Sequence, residues 1–113
     1  MNVHNLTLKA AIAEDLLKAL ANRHRLMILC ELHQGEQSVG ALQNTIGLSQ
    51  SALSQHLARL REDGLVTTRR AAQTIYYSLA SKHVTRIIAL LYELYCSPEC
   101  DKPSKRKGRK RRP

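Results

Sequence analysis

Few side chains in this chain can do chemistry: three cysteines, and one helix face of hydroxyl, amide and guanidinium groups. The thiols are Cys30, Cys96 and Cys100. A thiolate attacks sulfur electrophiles and ligates soft metals, so the spacing of the three matters. Cys30 stands 66 positions before Cys96, and Cys96-x3-Cys100 brings two thiols close in sequence. That close pair could bridge to itself, or join Cys30 as a set of thiolates for a soft metal. Each thiol also has an inert reading. Cys30 falls on an apolar helix stripe, as a buried structural thiol does. Cys96 sits about 120° from the Val84/Leu91 stripe at about 100° per residue, so core packing does not call for it. The histidines make a poor metal site: His83 reads as a surface residue at a helix end, and His33 and His56 as residues at the core edge. No phosphate-cradling glycine loop and no Ser/His/Asp arrangement is present, which argues against an enzyme and gives no reason to expect a cofactor.

The helix face belongs to the stretch 38–80. There the sequence predicts a short helix (Val39–Ile46), a turn at Gly47-Leu48-Ser49, a longer helix (Gln50–Asp63), a stop at Gly64 and two strands (Leu65–Arg70 and Thr74–Leu79). This is a helix-turn-helix followed by a β-hairpin, or wing. Gly47 can take the positive φ that ends a helix, and the Ser49 hydroxyl can cap the next one. In the longer helix Leu53, Leu57 and Leu60 form one stripe, which should pack inward. Ser51, Ser54, Gln55, Ala58 and Arg59 lie on or near the opposite side. Gln and Arg read purine edges bidentately and Ser bonds bases or phosphates, so this face suits a DNA major groove. A solvated helix face would look similar in isolation; the turn, the wing and a net charge of +9 together favour DNA. Gln50–Arg59 is therefore the expected reading element, including Gln50, Ser51, Ser54, Gln55 and Arg59. The wing residues Arg69, Arg70 and Gln73 are expected against the DNA backbone.

The charge is unevenly spread. Residues 1–96 carry 10 Lys+Arg against 7 Asp+Glu, whereas residues 97–113 carry 8 against 2. Two thirds of the excess thus sits on a Pro- and Gly-containing end, KPSKRKGRKRRP, which reads as a basic disordered tail able to touch phosphate nonspecifically. The expected organisation is one winged helix-turn-helix and dimerisation domain over 1–96 and a tail over 97–113. With no Phe and no Trp, the core must be built from Leu, Ile, Val and Ala, with Tyr as the only large aromatic to hand. No apolar run approaches the ~18 residues of a membrane span, and no export signal precedes the first helix. The expected setting is the cytoplasm, with reduced thiols and no membrane partner.

The elements that must position these groups flank the central unit. Met1–Asn5 is expected to fray, and Leu6–Ala21 to form one helix with Leu8, Ile12, Leu16 and Leu20 on a stripe. Asn22 is a plausible break and cap for a second helix running to His33 and stopping before Gly35. That helix is apolar nearly all round, with Leu26, Leu29, Cys30 and His33 on one face and Ile28 and Leu32 on another. Arg23, His24 and Arg25 occupy its first turn, where the macrodipole disfavours cations, and call for phosphate or acidic partners. Ser81 can cap a last helix, Lys82–Tyr95, striped by Val84, Ile87, Ile88, Leu91 and Tyr95 and widened by Leu90 and Leu94. Two apolar-striped helices outside so small a DNA-reading unit imply a homodimer interface, with two recognition helices about one DNA turn, ~34 Å, apart.

In this layout the chain resembles the ArsR/SmtB family of bacterial winged-helix repressors over about Ala10–Cys96. The resemblance is carried by ALANRHRLMILCEL (19–32), SVGALQNTIGLSQSALSQHLARLREDGLV (38–66) and TIYYSL (74–79). One departure is Arg23, where members often have Pro. The resemblance implies a homodimer that binds double-stranded operator DNA near a promoter and releases it to an inducer. Metal sensors of the family often carry Cys-Val-Cys where this chain has Ser38-Val39-Gly40, or Asp, His and Glu across the last helices where this chain offers His83 with Ser81 and Leu94. The thiols are instead similar to the SqrR/BigR-like dithiol subgroup and the related HlyU-type redox regulators. Those place one Cys in an "ILC" run of the second helix, here Ile28-Leu29-Cys30, and its partner near the end of the last helix, here Leu94-Tyr95-Cys96. What the resemblance implies is a Cys30/Cys96 sensing pair for reactive sulfur, persulfide or polysulfide, joined by a di- to tetrasulfide bridge. A metal- or general redox-responsive repressor using the thiolates is the alternative on the same fold. An RNA-binding or architectural protein working through the basic tail is the alternative outside it.

Overall fold

The computed structural model describes residues 2–96. The chain is mainly helical with a small antiparallel sheet: α1 (Val3–Leu8), α2 (Ala10–Leu20), α3 (Arg23–His33), β1 (Gln37–Ser38), α4 (Val39–Ile46), α5 (Gln50–Glu62), β2 (Val66–Ala71), β3 (Thr74–Leu79) and α6 (Lys82–Cys96). The expected winged helix-turn-helix is present, with the recognition helix α5 ending one residue early and the first wing strand displaced by one residue.

Local chemistry explains the boundaries. Gly47 takes φ 82 and its N–H donates to the Gln43 carbonyl at 2.9 Å, ending α4. Ser49 Oγ then accepts from Ala52 N at 3.1 Å and starts α5. At the far end Gly64 takes φ 74, while Gly64 N–H bonds the Arg61 carbonyl and Leu65 N–H bonds the Leu60 carbonyl, both at 3.0 Å. Those two bonds form a Schellman motif, which needs the left-handed glycine and brings Leu65 back onto Leu60. The turn therefore fixes how the wing leaves the recognition helix. Ser81 caps α6 through Val84 N at 3.2 Å.

The core sits where α3 crosses the other helices. Ile28, Leu29, Leu42, Leu53, Leu57, Leu60, Val84 and Ile88 are its largest fully buried side chains, and no charged or polar residue is buried among those described. The predicted inward stripe of α5 is thus the core face. Truncating one of these leucines to Ala belongs to the class that costs about 2–5 kcal/mol.

Four expectations need correction. Leu6–Ala21 is not one helix. Asn2 Oδ1 accepts from Asn5 N at 3.3 Å and starts α1 at Val3, and the chain turns at Lys9 (φ −103, ψ 8) before α2 begins. The expected frayed start is therefore capped and helical from Val3 onward. The sheet has three strands, in the order β1-β3-β2, because Gln37 and Ser38 pair with Tyr77 and Tyr76. A two-residue polar strand has no alternation to read. Finally, His33 is exposed and not at the core edge: it is the last residue of α3, where the helix leaves the core.

One of the cations at the start of α3, Arg25, has a structural answer. Asn22 Oδ1 caps the helix by accepting from His24 N (3.0 Å) and Arg25 N (3.1 Å). Arg25 then folds back onto α2: its Nε donates to the Ala19 carbonyl at 2.7 Å and its Nη2 to the Lys18 carbonyl at 3.1 Å. Both carbonyls lie in the last turn of α2, its negative end, where that of Lys18 also accepts from Ala21 N at 3.3 Å. The guanidinium that is misplaced for α3's dipole is well placed for α2's.

Candidate nucleic-acid interface and thiol pair

The outward face of α5 is open. Gln50, Ser51, Ser54, Gln55, Ala58 and Arg59 are all exposed, while Leu53, Leu57 and Leu60 anchor the opposite side. The helix thus presents its polar face on a rigid base. Arg59 is tethered, with Nε 3.0 Å from Asp63 Oδ2 one turn later. An exposed i,i+4 pair of this kind contributes little stability and holds the guanidinium along the helix axis.

Between α5 and the wing lies an open groove of about 730 Å³. Gln50, Ser54 and Arg61 line one wall, and Gln73, Ile75 and Tyr77 the other. Arg61 was not among the residues singled out from the sequence. Its signal was available: it lies seven positions after Ser54, on the same flank of the helix. Gln73 is exposed at the wing tip beside Ala72, which has φ 58. Arg69 and Arg70 are both exposed on β2.

His56, on the inner flank of α5, is half-buried, and its ring centroid lies 5.8 Å from that of His24. Burial first, then the Arg25 charge and His24, push its pKa below the ordinary histidine value. The folded protein then binds this proton less readily than the unfolded chain. Stability should fall as pH drops through about 6.5 and keep falling until the pH passes the lowered His56 value. Urea unfolding between neutral and mildly acidic pH checks this: His56→Gln should flatten the acid-side loss, and an unchanged slope in that variant would rule out His56 as its source.

The thiols occupy two packed helices. Cys30 is half-buried on α3 against the core, and Cys96 is exposed as the last residue of α6. Both are free. Burial raises the Cys30 pKa, and the Cys96 charge raises it further, with a smaller push from Glu31. The two thiols are therefore within electrostatic reach of each other. Cys30 also borders a shallow apolar groove with Leu26, Met27 and Ile46. Cys100 and the basic tail lie outside the described residues. Among those described, no group of three or more His, Cys, Asp or Glu side chains is placed to hold a metal ion.

A capped helix-turn-helix with a paired wing invites comparison with known regulators. Residues 22–68 match the family model described as bacterial regulatory protein, arsR family. Over 96 residues the chain is 55% identical to the transcriptional activator HlyU of Vibrio cholerae, covering 85% of this chain and 89% of that protein. The chain belongs to the ArsR family. This ArsR-family chain is also 50% identical over 84 residues to the biofilm growth-associated repressor of Agrobacterium fabrum, covering 74% of this chain and 72% of that one. The crystal structure of the transcriptional repressor BigR from Xylella fastidiosa superposes with a TM-score of 0.81 at 39% identity, covering 86% of this chain and 99% of that chain. As an ArsR-family member the chain is a DNA-binding transcriptional regulator of the winged-helix type, and not an enzyme. Among its described residues, no helix is long and apolar enough to cross a membrane.

Proposed function

We propose that the chain is a homodimeric transcriptional repressor that holds operator DNA while Cys30 and Cys96 are reduced and releases it when reactive sulfur bridges them. In this reading Gln50, Ser51, Ser54, Gln55 and Arg59 read the major groove, and Arg70 and Gln73 of the wing face the backbone. The observation that carries the sensing half is the pairing of a half-buried thiol on α3 with an exposed thiol on α6, close enough for one charge to act on the other.

The two environments assign an order. Cys96 is the accessible group and meets the electrophile first. Its thiolate attacks the outer sulfur of a persulfide RSSH, giving a protein persulfide and expelling RS⁻. A second persulfide does the same at Cys30, more slowly, because that thiol is half-buried and burial raises its pKa. The two protein persulfides then condense to a trisulfide and release hydrogen sulfide. Such a bridge ties α3, the centre of the core, to the end of α6. It biases the protomer pair toward a form whose recognition helices no longer match the groove spacing.

The homodimer is supported by where large apolar side chains stay exposed. Val3, Leu6, Leu8, Ile12, Leu17, Leu90, Tyr92 and Tyr95 are each more than half exposed, and all lie on α1, α2 or α6. Large apolar side chains left exposed on these helices, off the recognition helix, suit burial against a second copy.

Peptide mass spectrometry of reduced protein treated with an organic persulfide tests the chemistry, with peroxide and oxidised glutathione as controls. The expected product is a Cys30–Cys96 cross-link carrying extra sulfur, formed only with persulfide. Unmodified thiols, or a Cys96–Cys100 bridge instead, would remove the sensing pair.

A further inference from the structure

The wing carries two adjacent arginines, and the structure treats them differently. Arg69 pairs across the hairpin with Tyr76, and Arg70 with Ile75. Directly opposed residues share a face and successive residues alternate, so the two side chains leave opposite faces of the wing. Ile75 lines the groove beside α5, so Arg70 is on the recognition-helix side.

Arg69 is on the other face and already occupied. Its Nη2 lies 2.8 Å from Glu36 Oε1 and its Nε 3.0 Å from Glu36 Oε2, a two-point pairing across 33 positions of sequence. The guanidinium carbon stands 4.7 Å from the Tyr76 ring centroid. Glu36 is itself well based. It precedes β1, where Gln37 pairs with Tyr77, and the Gln37 side-chain amide donates to the Glu31 carbonyl (3.0 Å) and carboxylate (3.1 Å) near the end of α3. The Arg69 hydrogen bond also holds the Glu36 carboxyl below the usual range, so the acid stays ionised.

We propose that Arg69 is a positioning residue that braces the wing to the α3–β1 turn through Glu36 and Tyr76, and that Arg70 is the wing cation that meets phosphate. The pairing also gives the Glu36 carboxylate a two-point partner. A fork-shaped guanidinium stacked on an aromatic ring suits a fixed strut better than a flexible ammonium would. The inference rests on the reading of the wing as a DNA contact and is independent of the thiol chemistry.

The test measures affinity against salt for full-length protein and a duplex selected by the wild type from a random 30-base-pair pool (~30, long enough for two half-sites one turn apart). Removing one cation from its phosphate lowers the slope of log K against log salt by about 0.9. Arg70→Met should lower it by about that amount. Arg69→Met and Glu36→Gln should each weaken binding about two- to fivefold with the slope unchanged, the range open to one exposed pair. Combining them should add nothing, and the exchanged pair Glu36→Arg/Arg69→Glu should recover part of the loss. Hydrogen exchange at the β1–β3 amides should rise in both single variants and not in Arg70→Met. If Glu36→Gln binds as tightly as wild type or tighter while Arg70→Met behaves as expected, the strut is wrong and Arg69 is free to serve DNA. If no wing variant changes binding, the wing reading itself fails along with it.

Discussion

Replacing Cys96 by Ser is expected to leave DNA binding intact and abolish its loss on exposure to persulfide. Cys96 is exposed at the end of α6, so the substitution removes no core contact. The reduced protein should therefore bind the selected duplex like wild type. What remains, Cys30, is half-buried with a raised pKa, and it has no partner thiol on α6 to resolve a persulfide. In wild type, bridging should weaken DNA binding by about 5–150-fold, the span of ordinary coupling energies. In Cys96→Ser that ratio should collapse to about one. Cys30→Ala should collapse it too, although this variant also gives up a side chain packed on the core and is expected to lose some stability. Fluorescence anisotropy before and after persulfide, with reductant added back, reads the ratio. If Cys96→Ser still releases DNA, the switch lies elsewhere in the chain. Titration of thiolate–metal charge-transfer bands would then test the metal-responsive alternative.

The parts of this fold that the sequence makes legible are those governed by short-range rules. Gly47 and Ser49 mark the turn, three leucines mark the inner face of α5, and Gly64 marks its end, because each acts through residues within one or two helical turns. The missed features act across the chain. β1 exists only because Tyr76 and Tyr77 arrive from forty positions away, roughly, to pair with it, and two polar residues carry no period of their own. Arg25 looked misplaced because its partners are the carbonyls of the preceding helix. The Arg69–Glu36 pairing spans 33 positions, and nothing local reveals it. That Cys30 and Cys96 act together is implied by resemblance alone. Spacing alone does not say that the end of α6 comes within electrostatic reach of the middle of α3.

The proposed dimer governs the size of the second expected effect. Each protomer presents one recognition helix, and one helix with one wing makes too few contacts for tight binding. Joining two makes the second encounter intramolecular, which raises affinity by about 10²–10⁴ without any new contact to DNA. Ile12→Glu on α2 and Leu90→Glu on α6 place charges on side chains that are 66% and 52% exposed in the protomer, so the protomer should fold as before. In a two-fold interface every such charge is buried twice, opposite the same apolar patch, at a cost an interface of this kind does not survive. Sedimentation velocity should show the dimer converting to monomer. Affinity for a duplex with two half-sites should fall at least about 100-fold, while the weak affinity for a single half-site stays the same. That contrast matters because a damaged recognition helix would lose both. A variant that remains dimeric with Glu at both positions would place the interface elsewhere. The exposed faces of α2 and α6 would then need another occupant, and the route from a Cys30–Cys96 bridge to the spacing of the recognition helices would have to run within one protomer.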